Sequence, residues 1–295
     1  MIKKAVTKNS IKMERSISGI TFIRHILEIF NSDVESNSHI KEIKKMETET
    51  VTIDIIDLSS RLNINCVDFT LFKQPPLSSL LKEIYSWQSL QDFRDVNGFV
   101  GEVSIYKTFF KDEVNMEEIF TIYNIPNINN SSDLMLEKLF ELRTEDENRA
   151  FVLRSQIVDS RKKGVIYDSS MFKRLMHGSD EVSEYINIIP NWNVNYVSEV
   201  LLKTVMFMEY RGKNINNYKN KYLEVLNRRE SQNISIKDLE RILKSKNRTV
   251  LTYLGDKTTF WEVHITDKEM GTSTKIIIGW DSEKYNIIFL EKIPL

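Results

Sequence analysis

Cys66, His264 and Asp281 are the residues of this chain that could be assembled into a nucleophile, a general base and an orienting carboxylate. The spacing from His264 to Asp281 suits two adjacent strands, which would carry a base beside its acid. The nucleophile is the weak member. A reactive thiolate needs a helix N-terminus or a neighbouring cation, whereas Cys66 leads into the β-type run Val67–Phe72, with Asp68 two residues away. A lone cysteine in that setting reads equally as a small buried hydrophobe, and no catalytic residue is assigned.

His264 has a second reading. Residues of a strand alternate between faces, so over 260–265 Trp261, Val263 and Ile265 share one face and Phe260, Glu262 and His264 the other. The pattern places a half-solvated imidazole beside a carboxylate. His25, His39, His177 and His264 are dispersed, and neither HExxH nor paired CxxC occurs, so no metal site is expected. Asp54, Asp57 and Asp68, with Asp92, Asp95 and Glu102, could hold Mg²⁺ if they converged. Spread over helix, turn and strand edges, they read as solvated surface.

No two of the nine glycines form G-x-G, and Gly98 with Gly101 is the closest pair. Backbone that must approach a phosphate uses glycine, so a P-loop and a dinucleotide fingerprint are excluded and no cofactor is expected. Arg228, Arg229, Lys237, Arg241, Lys244, Lys246 and Arg248 form a local basic cluster. On a helix over 235–248, Lys237, Arg241, Lys244 and Arg248 recur at threes and fours, while Ile236, Leu239, Ile242 and Leu243 face inward. Such a face could lie on phosphates, or simply be solvated.

The elements that would position these residues imply an α+β protein. A polar arm over 1–14 precedes an α/β block at 15–126: a helix near 20–30, strands at 51–57 and 66–73, a helix over 78–94 and a strand over 99–110. Residues 31–49 read as an exposed connector and 127–133 as a turn-rich linker. A mainly helical region at 127–247 follows, with helices expected at 134–142, 151–162, 171–177, 196–210 (capped by Asn195), 216–229 and 235–246 (opened by a capping-box pattern, Ser235 with Asp238). The chain ends in a four-stranded antiparallel β-meander over 248–295, with strands at 250–254, 260–265, 275–280 and 285–291. Its last two strands carry apolar residues on both faces, so the helix from Ser235 is expected to cover one of them. No internal repeat of fixed period is evident.

Composition bounds the rest. The 295 residues contain 41 basic and 42 acidic side chains, 41% apolar and 28% charged residues, which describes a soluble globular protein without the positive excess of a general polyanion binder. No run of about 18 apolar residues spans a membrane, Lys8 to Arg15 interrupt any Sec-type signal, and a single cysteine forms no internal disulfide. A cytoplasmic protein is expected, with export by a non-Sec route still open. Two alanines and few glycines beside abundant Asn, Ile, Lys and Ser suggest an A+T-rich bacterial, phage or mobile-element genome. Four Trp, eleven Tyr and fifteen Phe supply interface anchors. The expectation is therefore a non-enzymatic protein-protein interaction, assembly or regulatory factor that binds a host or cognate protein, in a virulence or mobile-element setting. The alternatives are an injected effector enzyme with a Cys-His-acid site, or a nucleic-acid-binding protein using helix 235–248.

Overall fold

The computed structural model describes residues 19–32, 51–80, 87–109, 119–164, 166, 168–190, 192–210, 215–244, 249–269, 271–280 and 284–294. The expected arm at 1–14 and most of the connector at 31–49 lie outside them. The fold is α+β, with two compact units: residues 1–57 with 259–295, and residues 58–258.

The first unit is built on one antiparallel sheet of four strands: β1 (Val51–Asp57), β6 (Phe260–Asp267), β7 (Thr272–Trp280) and β8 (Tyr285–Pro294), in the order β1-β6-β7-β8. Three of its strands are those expected at the C-terminus; the fourth is not Val250–Leu254 but β1, whose Ile53, Ile55 and Asp57 lie opposite Ile265, Val263 and Trp261. That register puts the buried Ile53 and Ile55 on the face of Trp261 and Val263. The helix Gly19–Ser32 packs on β8, and the fully buried Phe30 meets Trp261 and Tyr285 edge-on, with ring centroids 5.6 and 5.7 Å away. Burying that ring contributes about 2–3 kcal/mol. Asn31 then ties the helix end to the strand start, donating to the Tyr285 carbonyl (3.2 Å) and accepting its N–H (2.7 Å).

Residues 249–253 form a short helix, and only Leu254–Gly255 (β5) is extended. Their β-branched and aromatic content measures burial rather than backbone preference: Val250 and Leu254 are fully buried in the core of the second unit. The same override governs two other expected strands. Cys66 sits in a turn followed by a 3₁₀ turn at Phe69–Lys73, and Val103–Phe109 is 3₁₀. The spacing of Val103, Tyr106 and Phe109 is three, the period of that helix, and it brings the buried Tyr106 against Phe93 and Phe109.

The second unit contains three copies of one construction. Asn63-Ile64-Asn65, Asn127-Ile128-Asn129 and Asn193-Val194-Asn195 begin them. In each, the first Asn accepts the N–H of the second (3.0, 2.8 and 3.0 Å), closing an Asx turn. The second Asn grips one distant residue by both backbone groups, donating to its carbonyl and accepting its N–H. Asn65 holds Val100, Asn129 holds Ile166 and Asn195 holds Ile234, at sequence separations of 35, 37 and 39. The buried residue between the asparagines donates its N–H to a returning segment: Ile64 to Thr121, Ile128 to Asn187 and Val194 to Gly255. These contacts sit in short parallel pairings of β2 (Leu62–Asn63) with β3 (Phe120–Thr121), of Asn127 with Asn187, and of β4 (Trp192–Asn193) with β5.

Each copy also places an arginine five or six residues before the gripped residue. Arg94 donates to the Val67 carbonyl (2.6 Å), Arg161 to that of Ile128 and Arg229 to that of Val197 (2.9 Å). They end the helices Trp87–Asn97, Glu147–Lys163 and Ile215–Ser231. The unit is thus a tandem array, each repeat closing a long loop through an amide that mimics backbone. The expected linker at 127–133 is the start of the second repeat, and Asn127 is fully buried. Asn195 grips Ile234 instead of capping a helix; the helix it was expected to cap runs Glu199–Tyr210, where the Ser198 hydroxyl accepts the Leu201 N–H.

Candidate functional site

The three asparagine pairs explain where much of the chain's polar side-chain chemistry goes. Their amides satisfy buried backbone groups that an irregular loop would otherwise leave unpaired, and the turns they form shape the surface between repeats. Between the second and third repeats lies a groove of about 290 Å³. Ile188, Ile189, Pro190, Ile236 and Leu251 line it, together with Asn129 and Ile166 of the second clamp and with Glu240, Asp256 and Lys257 among its polar lining. The Asn127 amide holds the Ile189 carbonyl at 2.8 Å, and the Asp256 carboxylate accepts the Ile236 N–H at 2.8 Å, so both walls are anchored. Gly255 lets the walls approach closely, since a Cβ there would meet Pro190 Cβ at a tight 3.3 Å. The lining is mainly aliphatic with a few polar groups, the composition common to ligand-receiving pockets.

Cys66 belongs to the first repeat. It is buried, its carbonyl accepts the Ser132 N–H at 2.8 Å, and desolvation pushes its thiol up to about 12 against the opposing pull of Arg94. At neutral pH it is protonated, the opposite of a poised nucleophile. A void of about 30 Å³ borders it, lined by Asn63, Asn124, Asn130, Ser131 and Tyr253 among others. That is room for roughly one water, not for a substrate. The neighbouring Arg94 is a structural cation, 1% exposed, with its guanidinium 4.1 Å over the Phe69 ring and 3.6 Å from Asp95.

His264 and Glu262 lie where strand parity puts them, on one face of β6. His264 Nε2 and Glu262 Oε1 are 2.5 Å apart, and Lys275 Nζ is 3.1 Å from Glu262 Oε2. Burial pushes the Glu262 carboxyl up, but the hydrogen bonds and charges of His264 and Lys275 outweigh it and hold the group below the ordinary carboxylate range. The pairing register continues the row: Asp54 lies opposite His264, Lys275 opposite His264 on the other side, and Glu291 opposite Lys275. The opposite charges of Lys275 and Glu291 on neighbouring strands add to the sheet's stability, and Glu262 has both oxygens committed. Asp281 lies outside the described residues.

The basic helix is shorter than expected. It spans Ile236–Leu243 with the expected capping box, and Leu239, Ile242 and Leu243 are buried. Lys244 leaves the helix in a left-handed conformation (φ 48°), while Arg228 and Arg241 lie 3.5 and 3.1 Å from Asp238. Lys246 and Arg248 lie outside the described residues. Lys237 and Arg241 are what the helix itself carries of the expected basic face. Among the described residues no group of three or more His, Cys, Asp or Glu is placed to hold a metal ion, and no helix is long and apolar enough to cross a membrane.

What sequence reasoning missed is the repeat and the groove it frames. The available signal was the triple recurrence of an apolar or proline residue followed by Asn-Ile/Val-Asn, at 62–65, 126–129 and 192–195.

No protein-family model matches the chain, and no curated protein matches it. Among solved structures, a chain of the crystal structure of the GspK-GspI-GspJ complex from the enterotoxigenic Escherichia coli Type 2 Secretion System is similar over 100% of both chains, at 9% identity and a TM-score of 0.30. A likeness at that score carries no argument about this chain.

Proposed function

We propose that the protein is a non-enzymatic interaction or assembly factor, and that the groove between its second and third repeats receives a segment of a protein partner. The supporting observation is the groove itself: about 290 Å³, walled by Ile188, Ile189, Pro190, Ile236 and Leu251 on backbone that is anchored at both sides. A preorganised wall lowers the ordering cost of binding. The partner chemistry that fits is an aliphatic or aromatic side chain flanked by a basic residue, which would meet the exposed Glu240 and the half-buried Asp256 beside the apolar lining.

The protonated, buried Cys66 gives no support to a Cys-His-acid site, and the shortened, partly ion-paired basic helix gives little to nucleic-acid binding. A virulence or mobile-element role and a cytoplasmic location remain part of the same proposal, resting on composition alone.

The test is a photo-crosslinking residue in place of Ile189, with the protein at native abundance in its own host. One discrete protein adduct is expected, lost when Ile236→Asp places a charge in the wall and retained with Lys237→Ala just outside the groove. Absence of any adduct above that from a crosslinker at Lys162, on the exposed end of Glu147–Lys163, would sink the proposal.

A further inference from the structure

Among the described residues strand β8 closes the sheet order and is ten residues long, yet Ile288, Phe289 and Leu290 are 55%, 40% and 47% exposed. Three consecutive exposed apolar residues on a terminal strand are a template for pairing with another strand. What the strand would pair with follows from its bulge. Ile277 lies opposite Phe289 and Ile278 opposite Ile287, so Ile288 is the extra residue. Its side chain lies over Gly279, since a Cβ at Gly279 would sit 2.2 Å from Ile288 Cδ1 and 2.9 Å from Phe260 Cε1. Ile288 therefore shares the Phe260 face. Phe289, through Ile277 and Glu262, shares it too. Ile287 and Leu290, opposite Ile278 and Ile276, lie on the Trp261 and Val263 face.

The facing pattern is consequently a palindrome about the point between Ile288 and Phe289. We infer that β8 pairs antiparallel with β8 of a second copy of this chain, Ile288 opposite Phe289 of the other copy and Ile287 opposite its Leu290, giving a continuous eight-stranded sheet across a two-fold axis. In this register Asn286 lies opposite Glu291, so no like charges oppose one another. A shift of one residue either way sets Ile287 against Phe289 or Ile288 against Leu290, residues of opposite faces, and a register that restores face agreement around Glu291 places two Glu291 carboxylates together. Self-complementarity of this kind singles out a second copy over an unrelated strand. The inference concerns the sheet unit and does not rest on the groove.

The test is molecular mass by light scattering on the full chain from about 1 to 100 µM. A species of twice 34.7 kDa is expected at the upper end. Phe289→Lys should return the mass to that of one chain, because it sets an ammonium against Ile288 twice per dimer, with far-UV circular dichroism unchanged. The double variant Phe289→Lys with Ile288→Glu should restore the dimer through two ion pairs across the axis, in a salt-dependent form. A folded wild-type protein that stays a monomer throughout overturns the inference, as does a dimer indifferent to Phe289→Lys. If Phe289→Lys fails to fold, Leu290→Lys on the opposite face serves in its place. A dimer lost in the single variant and not regained in the double overturns the register.

Discussion

The repeated asparagine clamp predicts a graded stability series. Asn129→Ala deletes two hydrogen bonds of 2.8 Å to Ile166, and the fully buried Ile166 is left with an N–H and a C=O that have lost their partner. A net contribution of about 1 kcal/mol for each bond, or about 2 kcal/mol for each buried group left unsatisfied, gives a loss of roughly 2–4 kcal/mol. Water reaching the partly exposed Asn129 site would bring the figure to the lower end. Asn65→Ala and Asn195→Ala remove the equivalent pairs to Val100 and Ile234, at 3.0–3.1 and 2.8–3.1 Å, and should fall in the same range. For a unit of this size such losses correspond to melting points lowered by roughly 5–15 °C. Asn129→Asp is the discriminating partner: it keeps the acceptor for the Ile166 N–H but turns the donor into an oxygen facing a carbonyl, so it should cost at least as much as Ala despite its near-identical shape. Urea unfolding followed by far-UV circular dichroism, with the m-value held constant, measures each. Losses below about 0.5 kcal/mol in two of the three alanine variants, or an Asn129→Asp protein as stable as wild type, would refute the reading of these amides as backbone substitutes.

Two further outcomes follow from single residues. Since burial raises the Cys66 thiol from 9.0 to about 12, the unfolded chain ionises first as pH rises, and between pH about 9 and 12 it binds fewer protons than the folded one. The stability linked to Cys66 is therefore intact below pH 9 and lost across that window; Cys66→Ala should flatten the alkaline limb relative to wild type, and iodoacetamide at pH 7 should label Cys66 only after unfolding. Labelling of the native protein at the rate of a free thiol would contradict the burial argument. Gly279→Ala should cost about 1–3 kcal/mol, because the new methyl overlaps Ile288 Cδ1 at 2.2 Å and Phe260 Cε1 at 2.9 Å. Most of that cost should return in Gly279→Ala with Ile288→Ala, and equal melting points for the single and double variants would remove the placement of Ile288 over Gly279.

The parts of this molecule that were legible in its sequence are those fixed by local chemistry. Ser235 with Asp238 closes the capping box that the pattern indicated, and Glu262 stands beside His264 because strand period alone sets which residues share a face. The errors share one cause. Cys66–Phe72, Phe99–Phe109 and Val250–Tyr253 are rich in β-branched and aromatic residues, and each is mainly helical or turned in the structure because those side chains serve a core of helices rather than a pleated surface. Strand β1 was recognisable as a strand, but its partner lies some two hundred residues away, and no local signal carries that pairing. The repeat was hidden for a different reason. Its invariant content is two asparagines around one aliphatic residue, and the same string occurs as Asn214-Ile215-Asn216, where Ile215 instead opens the helix Ile215–Ser231. In each of the three working copies a residue 35 to 39 positions onward presents both its backbone groups to the second asparagine. An Asn-x-Asn turn becomes a clamp only when the chain returns to it, so the motif acquires its meaning from the length and packing of the loop it closes.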